Sequence, residues 1–96
     1  MIIEAGIIYG EAIYESCTDP QKAVIAHGMV PVELAEAAEQ YGREQIAKSY
    51  CRQHYGHDTD WQLIAKHLTN TTVAEFNRGV AVGLFSSAKH NGKMIA

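Results

Sequence analysis

The fold is decided by residues 31–56, which read PVELAEAAEQYGREQIAKSYCRQHYG. The segment opens with a proline, which fits the first turn of a helix, and it ends at Gly56, a residue suited to a left-handed helix cap. Its interior consists largely of good helix formers. The segment therefore predicts a helix over about 31–55, which would be roughly 37 Å long at about 1.5 Å per residue.

This long helix should carry ion pairs on its surface and an apolar stripe toward a core. Two acid–base pairs stand four residues apart in the favourable order: Glu39 with Arg43 and Glu44 with Lys48. Apolar and small residues recur every three or four positions, namely Leu34, Ala38, Tyr41, Gly42, Ile46 and Tyr50. Such a stripe predicts one face packed against the rest of the protein.

Signals for further helices flank this segment. Asp19 followed by Pro20 predicts an N-cap and a first helical residue, and Gly28 predicts a left-handed stop, so a short helix is expected over about 20–27. Two later starts match the capping box, in which a Thr oxygen accepts a first-turn N–H and a Glu or Gln reaches back. They are Thr59 with Gln62 and Thr72 with Glu75, and they predict helices over about 60–68 and 73–90.

The last helix and the first segment each leave an alternative open. In the last helix, one face carries Val73, Phe76, Val80 and Leu84, although residues 80–85 could alternatively form a short strand. Residues 2–16 are rich in β-branched isoleucine, which favours a strand. However, Glu4, Glu11 and Glu15 align as one solvated stripe only on a helix. A helix over about 2–16 is therefore expected, and the chain, residues 1–96, is predicted to be one all-α domain, a compact bundle of four to five helices.

The charges are distributed unevenly along the chain. Residues 1–40 hold seven acids and one base, whereas residues 41–96 hold seven bases and four acids. This distribution excludes a uniformly basic nucleic-acid binder, and 47% hydrophobic residues with two prolines exclude a disordered tail. The acidic part of the chain is therefore the first candidate for a functional surface.

Two acidic stripes define the predicted protein-binding residues. The first helix carries Glu4, Glu11 and Glu15, and the long helix carries Glu33, Glu36 and Glu39 together with Tyr41 as a possible anchor. If the stripes merged, they would form one patch that attracts a partner with a basic surface. Nearly all of the remaining positions of the first helix are apolar. This predicts either a homodimer or a partner that buries the helix.

In general character the chain resembles the accessory and inhibitor proteins of phages and plasmids that occupy nucleic-acid sites on host defence complexes. This resemblance rests on small size, acidity and helical content. It implies a regulatory protein that binds a nucleic-acid-binding protein and performs no chemistry of its own. Since neither cysteine lies in a recognisable catalytic signature and no phosphate-binding loop is present, we expect no catalytic residue and no cofactor.

A helix-turn-helix is the alternative function. Residues 63–79, LIAKHLTNTTVAEFNRG, resemble such a motif, with Ala65 at the small-residue position and a capped second helix that begins with polar residues. The resemblance implies a DNA-binding regulator that uses residues 60–79. Thr69 replaces the usual glycine of the turn, and Arg78 is the one base in the first two turns of the second helix, so nucleic acid is the less favoured partner.

Three further sequence features concern metal binding, helix packing and localisation. The histidines and cysteine that could bind zinc are Cys51, His54, His57 and His67, but their spacing is not that of a finger or ribbon. The motifs Gly6-x3-Gly10 and Gly79-x3-Gly83 lack the residues of a phosphate-binding loop and favour close helix packing. Two cysteines without a secretory signal, and no apolar run of about 18 residues, predict a cytoplasmic protein with no membrane span.

Overall fold

The computed structural model describes residues 2–92, which form five helices and contain no strand. The helices are α1 (Ile2–Tyr14), α2 (Asp19–Ala26), α3 (Val32–Tyr55), α4 (Trp61–Ala65) and α5 (Asn70–His90). The predicted all-α bundle is confirmed. The first segment is a helix, and residues 80–85 continue α5 instead of forming a strand.

The closest packing in the bundle joins α1 to α5. Gly6 meets the backbone of α5 at Phe76 and Gly79, and Gly10, one turn later, meets the backbone of Val80. Because both series run in the same direction, the two helices are parallel. The absence of side chains at these glycines lets the helix backbones touch, which confirms the prediction of close helix packing.

The core lies between this helix pair and the other helices. It consists of Tyr14, Ile25, Ala38, Phe76, Val80, Leu84 and Ala88. The predicted apolar face of α5 is confirmed, since Val73, Phe76, Val80 and Leu84 are all buried. The α5 helix contacts α1, α2 and α3 and is therefore the central element of the bundle.

Helix α3 is buried on two sides instead of one. Ala38 and Gly42 are buried, and so are Ala47 and Cys51, each nine residues further along. Nine residues correspond to about half a turn at about 3.6 residues per turn, so the two pairs lie on opposite sides of the helix. The second side is the one against which α4 packs, and Arg43 donates to the Ala65 carbonyl oxygen there at 3.3 Å.

The predicted single stripe on α3 is therefore only partly correct. Leu34 and Ile46 are half-buried, but Tyr41 and Tyr50 are 41% and 44% exposed. Both predicted ion pairs are present, at 3.6 Å for Glu39–Arg43 and 3.4 Å for Glu44–Lys48. The helix begins at Val32, and Gly56 caps its end with a φ of 76°, as predicted.

Several predicted helix starts are wrong by one to three residues. Helix α2 has its N-cap at Thr18, not Asp19: the Thr18 hydroxyl accepts the Gln21 N–H, and the Gln21 side chain accepts the Thr18 N–H. Asp19 and Pro20 then occupy the first two helical positions, and Gly28 has the expected positive φ of 85°. A full capping box thus exists one residue before the predicted cap.

The two predicted capping boxes do not form. Helix α4 spans five residues, not 60–68, and its N-cap residue Asp60 makes no side-chain capping bond, so Thr59 does not start it. Helix α5 starts at Asn70, and its N-cap is Thr69, whose hydroxyl accepts the Thr72 N–H at 3.4 Å. Thr69, three residues before the predicted N-cap Thr72, therefore caps the helix in its place.

The described residues extend over 46 × 22 × 20 Å, and the longest dimension reflects the 24 residues of α3. Of the helices formed by residues 2–92, none is long and apolar enough to cross a membrane.

Candidate functional surfaces

The outer side of α1 carries three carboxylates and an exposed isoleucine. Glu4, Glu11 and Glu15 are exposed and, within residues 2–92, form no salt bridge. Ile8 lies on the same side and is 69% exposed. The opposite side of α1 carries Gly6, through which the helix packs on α5. The backbone contact therefore fixes the direction in which this acidic face points.

The carboxylates of α3 are also exposed, but two of them have partners. Glu33 accepts a hydrogen bond from the Gln21 amide at 3.2 Å, and Glu39 pairs with Arg43. The pKa of Glu33 lies below its ordinary value because its carboxylate accepts from its own backbone N–H and then from Gln21. Glu36 forms no ion pair within residues 2–92. This stripe is thus partly neutralised within the protein.

Neither acidic stripe is centred on the contact between α1 and α3. Helices α1 and α3 approach at Tyr9 and Tyr41, whose rings stack at a centroid distance of 4.2 Å. On α1, the carboxylates stand about 120–160° around the helix from Tyr9, at about 3.6 residues per turn. On α3, Glu36 stands about 120° from Gly42, which packs against Phe76 of α5. Most of these carboxylates therefore lie away from the contact between α1 and α3, and the merging of the two stripes into one patch stays a prediction.

Tyr41 is less available than an isolated surface tyrosine. One side of its ring covers Tyr9, and both rings approach Phe76, at 5.8 Å for Tyr9 and 6.1 Å for Tyr41. Burial, and then the neighbouring Tyr41, raise the pKa of the Tyr9 phenol. The aromatic cluster of Tyr9, Tyr41 and Phe76 joins α1, α3 and α5, so Tyr41 has a structural role whatever it contacts outside the protein.

The residues proposed for zinc are not brought together. Cys51 is fully buried, whereas His54 is exposed and stacks on the Tyr50 ring at 4.1 Å. His57 accepts the Thr59 N–H through Nδ1 at 3.3 Å. Residues 2–92 contain no group of three or more His, Cys, Asp or Glu side chains placed to hold a metal ion.

The other cysteine, Cys17, is half-buried. Burial raises the pKa of its thiol, while the charge of Lys22 lowers it.

The segment that resembles a helix-turn-helix has a different packing. Helix α4 packs against α3 and has little contact with α5, whereas the two helices of a helix-turn-helix normally pack on each other. Arg78 and Glu75 are both exposed on α5. The exposed side of α5 is consequently of mixed charge near its start.

A cleft between α1 and α3 has no counterpart in the sequence patterns. Its volume is about 550 Å³, and its residues are Ile2, Ala5, Gln45, Ile46, Ser49, Tyr50, Gln53, Leu68, Thr72 and Phe76. None of these ten side chains is charged. The lining comes from three helices and one connection, so single-helix periodicity could not reveal it.

The chain matches no protein-family model, no curated protein sequence and no solved structure.

Proposed function

We propose that this chain is a small regulatory protein that binds another protein through the outer face of α1. The observation behind this proposal is that Ile8 is 69% exposed on the same side of α1 as three glutamates that have no basic partner within residues 2–92. An exposed aliphatic side chain offers apolar area to bury, and the surrounding carboxylates select a basic partner. The protein acts by occupying that partner's surface and performs no chemistry itself.

The α1 face is favoured over the α3 stripe for an electrostatic reason. Glu33 and Glu39 already interact with Gln21 and Arg43, so a partner would have to compete with these contacts. The three glutamates of α1 face no such competition within the described chain. Their field is therefore not offset by a paired base, and it attracts approaching molecules over a Debye length of about 8–10 Å in physiological salt.

The charges of the α1 face also indicate which kind of partner it can bind. A two-fold dimer through this face would oppose six carboxylates without a base, which is unfavourable. A basic surface, such as one that binds nucleic acid, would complement it. An inhibitor of the phage or plasmid accessory type would use such complementarity to occupy a nucleic-acid site on its target. The homodimer expected from the apolar first helix stays a prediction, which light scattering at micromolar concentration tests.

Affinity capture with two matched charge reversals tests the proposal. The first variant carries Glu4→Lys, Glu11→Lys and Glu15→Lys, and the second carries Glu33→Lys, Glu36→Lys and Glu39→Lys. Both change the net charge equally. Partners captured by the wild type are identified, purified and titrated against each variant at low and high salt. We expect the first variant to lose binding and the second to retain most of it.

The outcomes separate the surfaces. Loss confined to the second variant would assign binding to α3 and overturn the choice of α1, and unchanged binding in both would overturn the acidic-surface proposal. Circular dichroism of each variant checks that the helices persist.

DNA binding by residues 60–79 remains the alternative function. It requires salt-sensitive binding to duplex DNA that Arg78→Ala weakens. The packing of α4 on α3 argues against it, because the second helix would then lack its usual support. Duplex binding at low salt with the expected loss in Arg78→Ala would support this alternative over a protein partner.

A further inference from the structure

The cleft between α1 and α3 is open to solvent and has an apolar inner side. Its inner wall is Phe76, which is buried and belongs to the aromatic cluster where Tyr9 stacks on Tyr41. From that contact the two helices lead away to Ile2 on α1 and to Gln53 on α3, both of which line the cleft.

The inner wall is held in place by Gly42. A Cβ built at this position would lie 2.9 Å from Cε1 of Phe76, so the ring rests directly on the α3 backbone. A side chain at residue 42 would push the ring away from α3. The shape of the inner end is consequently built into the packed core.

The lining specifies the chemistry of a ligand. The inner part is apolar, with Phe76 fully buried and Ile46 and Leu68 half-buried. The polar groups near the opening are uncharged, and Ser49 and Gln53 among them are exposed. Because no acid or base lines the cleft, a charged molecule would lose hydration without gaining an ion pair.

We propose that this cleft binds a neutral, mainly apolar small molecule with one or two hydrogen-bonding groups directed at the opening. The volume of about 550 Å³ lies within the range of about 300–1,000 Å³ of small-molecule sites. The apolar part of the ligand packs against Phe76, Ile46 and Leu68. Its polar groups bond to the amide and hydroxyl groups of Gln53 and Ser49. This site is separate from the acidic face of α1.

Fluorescence titration with N-phenyl-1-naphthylamine, a neutral apolar probe, tests the site. We expect saturable binding of one probe per chain, and amide chemical shifts that change at the residues of the cleft. A naphthalene sulfonate of similar size should bind at least roughly tenfold more weakly, since no cation faces its charge. Absence of saturable binding, or equal binding of the anion, would overturn the proposal.

Two tryptophan substitutions and one control locate the site. Ala5→Trp and Ser49→Trp place an indole in the cleft from opposite walls and should weaken probe binding roughly tenfold or more. Ala12→Trp lies on the exposed side of α1 outside the cleft and should leave binding unchanged. If one variant fails to fold, the other gives the same information. Wild-type affinity in a folded cleft variant would contradict the assignment.

Discussion

Gly6 of α1 and Gly79 of α5 face each other so closely that a Cβ built on either would lie 3.0 Å from the Cα of the other. One turn further along, a Cβ on Gly83 would lie 3.1 Å from the Cα of Gly10. The neighbours of these hypothetical Cβ atoms are backbone atoms, which cannot rotate away as a side chain can. The whole of α1, including its acidic face, is positioned through this contact.

Replacement of Gly79 by alanine should therefore destabilise the protein. In an unobstructed helix the same change would stabilise by about 1 kcal/mol. Here the added Cβ would meet the Ile3 carbonyl oxygen and would lie 2.9 Å from the Ile7 amide nitrogen, so the helices must separate. We expect a net loss of about 2–3 kcal/mol in the free energy of unfolding, measured by urea denaturation.

Gly42→Ala is the matched control for this prediction. Its hypothetical Cβ meets the Phe76 ring, which can shift, instead of a backbone. The loss of stability should consequently be smaller than for Gly79→Ala. A larger loss at Gly42 would contradict the view that backbone contact between α1 and α5 is the tighter constraint.

The glycine motifs show what a sequence can and cannot predict about packing. Their four-residue spacing predicts that something approaches each helix closely. It does not identify the neighbour, because glycine carries no group that distinguishes one helix from another. That Gly6 meets Gly79 in a parallel arrangement depends on how three intervening helices return the chain, which no local pattern encodes.

The long helix α3 also shows that a sequence pattern predicts a helix better than it predicts the neighbours of that helix. Good helix formers and a terminal glycine predicted α3 nearly to its ends. Its buried residues were harder to predict, because Ala47 and Cys51 face α4 while Ala38 and Gly42 face the opposite way. A single apolar stripe assumes one neighbour.

For the candidate surfaces, the spacing predicted how the glutamates are oriented on each helix and left open how the two stripes are arranged relative to each other. Glu4, Glu11 and Glu15 are exposed on one side of α1, as a helical period requires. Whether they join the acids of α3 depends on the rotation of each helix about its axis. That rotation is set by the Tyr9–Tyr41 contact and the glycines. The same tertiary contacts create the cleft.

Two threonines, Thr18 and Thr59, each precede a glutamine by three residues, but only Thr18 caps a helix in the structure. Thr18→Ala removes the hydroxyl that accepts the Gln21 N–H and should lower the free energy of unfolding by about 1 kcal/mol. Thr59→Ala should have little effect, although Thr59 also precedes a glutamine by three residues, because α4 lacks a side-chain cap. Thermal unfolding of both variants measures the difference. An equal loss would indicate a working cap at Thr59.

The Gln21–Glu33 hydrogen bond should be visible in a titration. The pKa of Glu33 is lowered by its backbone N–H and then by Gln21. A carboxyl whose pKa is lower in the folded state stabilises the fold above its unfolded pKa, and this contribution is lost as the pH falls through the folded pKa. In Gln21→Ala the pKa of Glu33, followed by NMR, should rise but stay below its ordinary value. An unchanged pKa would show that the amide does not contribute.

Two leucines of opposite exposure test where the stability of the bundle resides. Leu84 is 0% exposed in the core around α5, whereas Leu63 on α4 is 60% exposed. Leu84→Ala leaves a cavity among helices that are fixed by backbone contact and cannot collapse into it, so we expect a loss of about 2–5 kcal/mol. Leu63→Ala removes the same atoms from a mostly hydrated site and should change stability by less than about 1 kcal/mol. Chemical denaturation of both variants under one set of conditions measures this contrast. A large loss at Leu63 would mean that the side chain is buried in solution, for example by a second copy of the chain, and light scattering of the wild type would then show the larger mass.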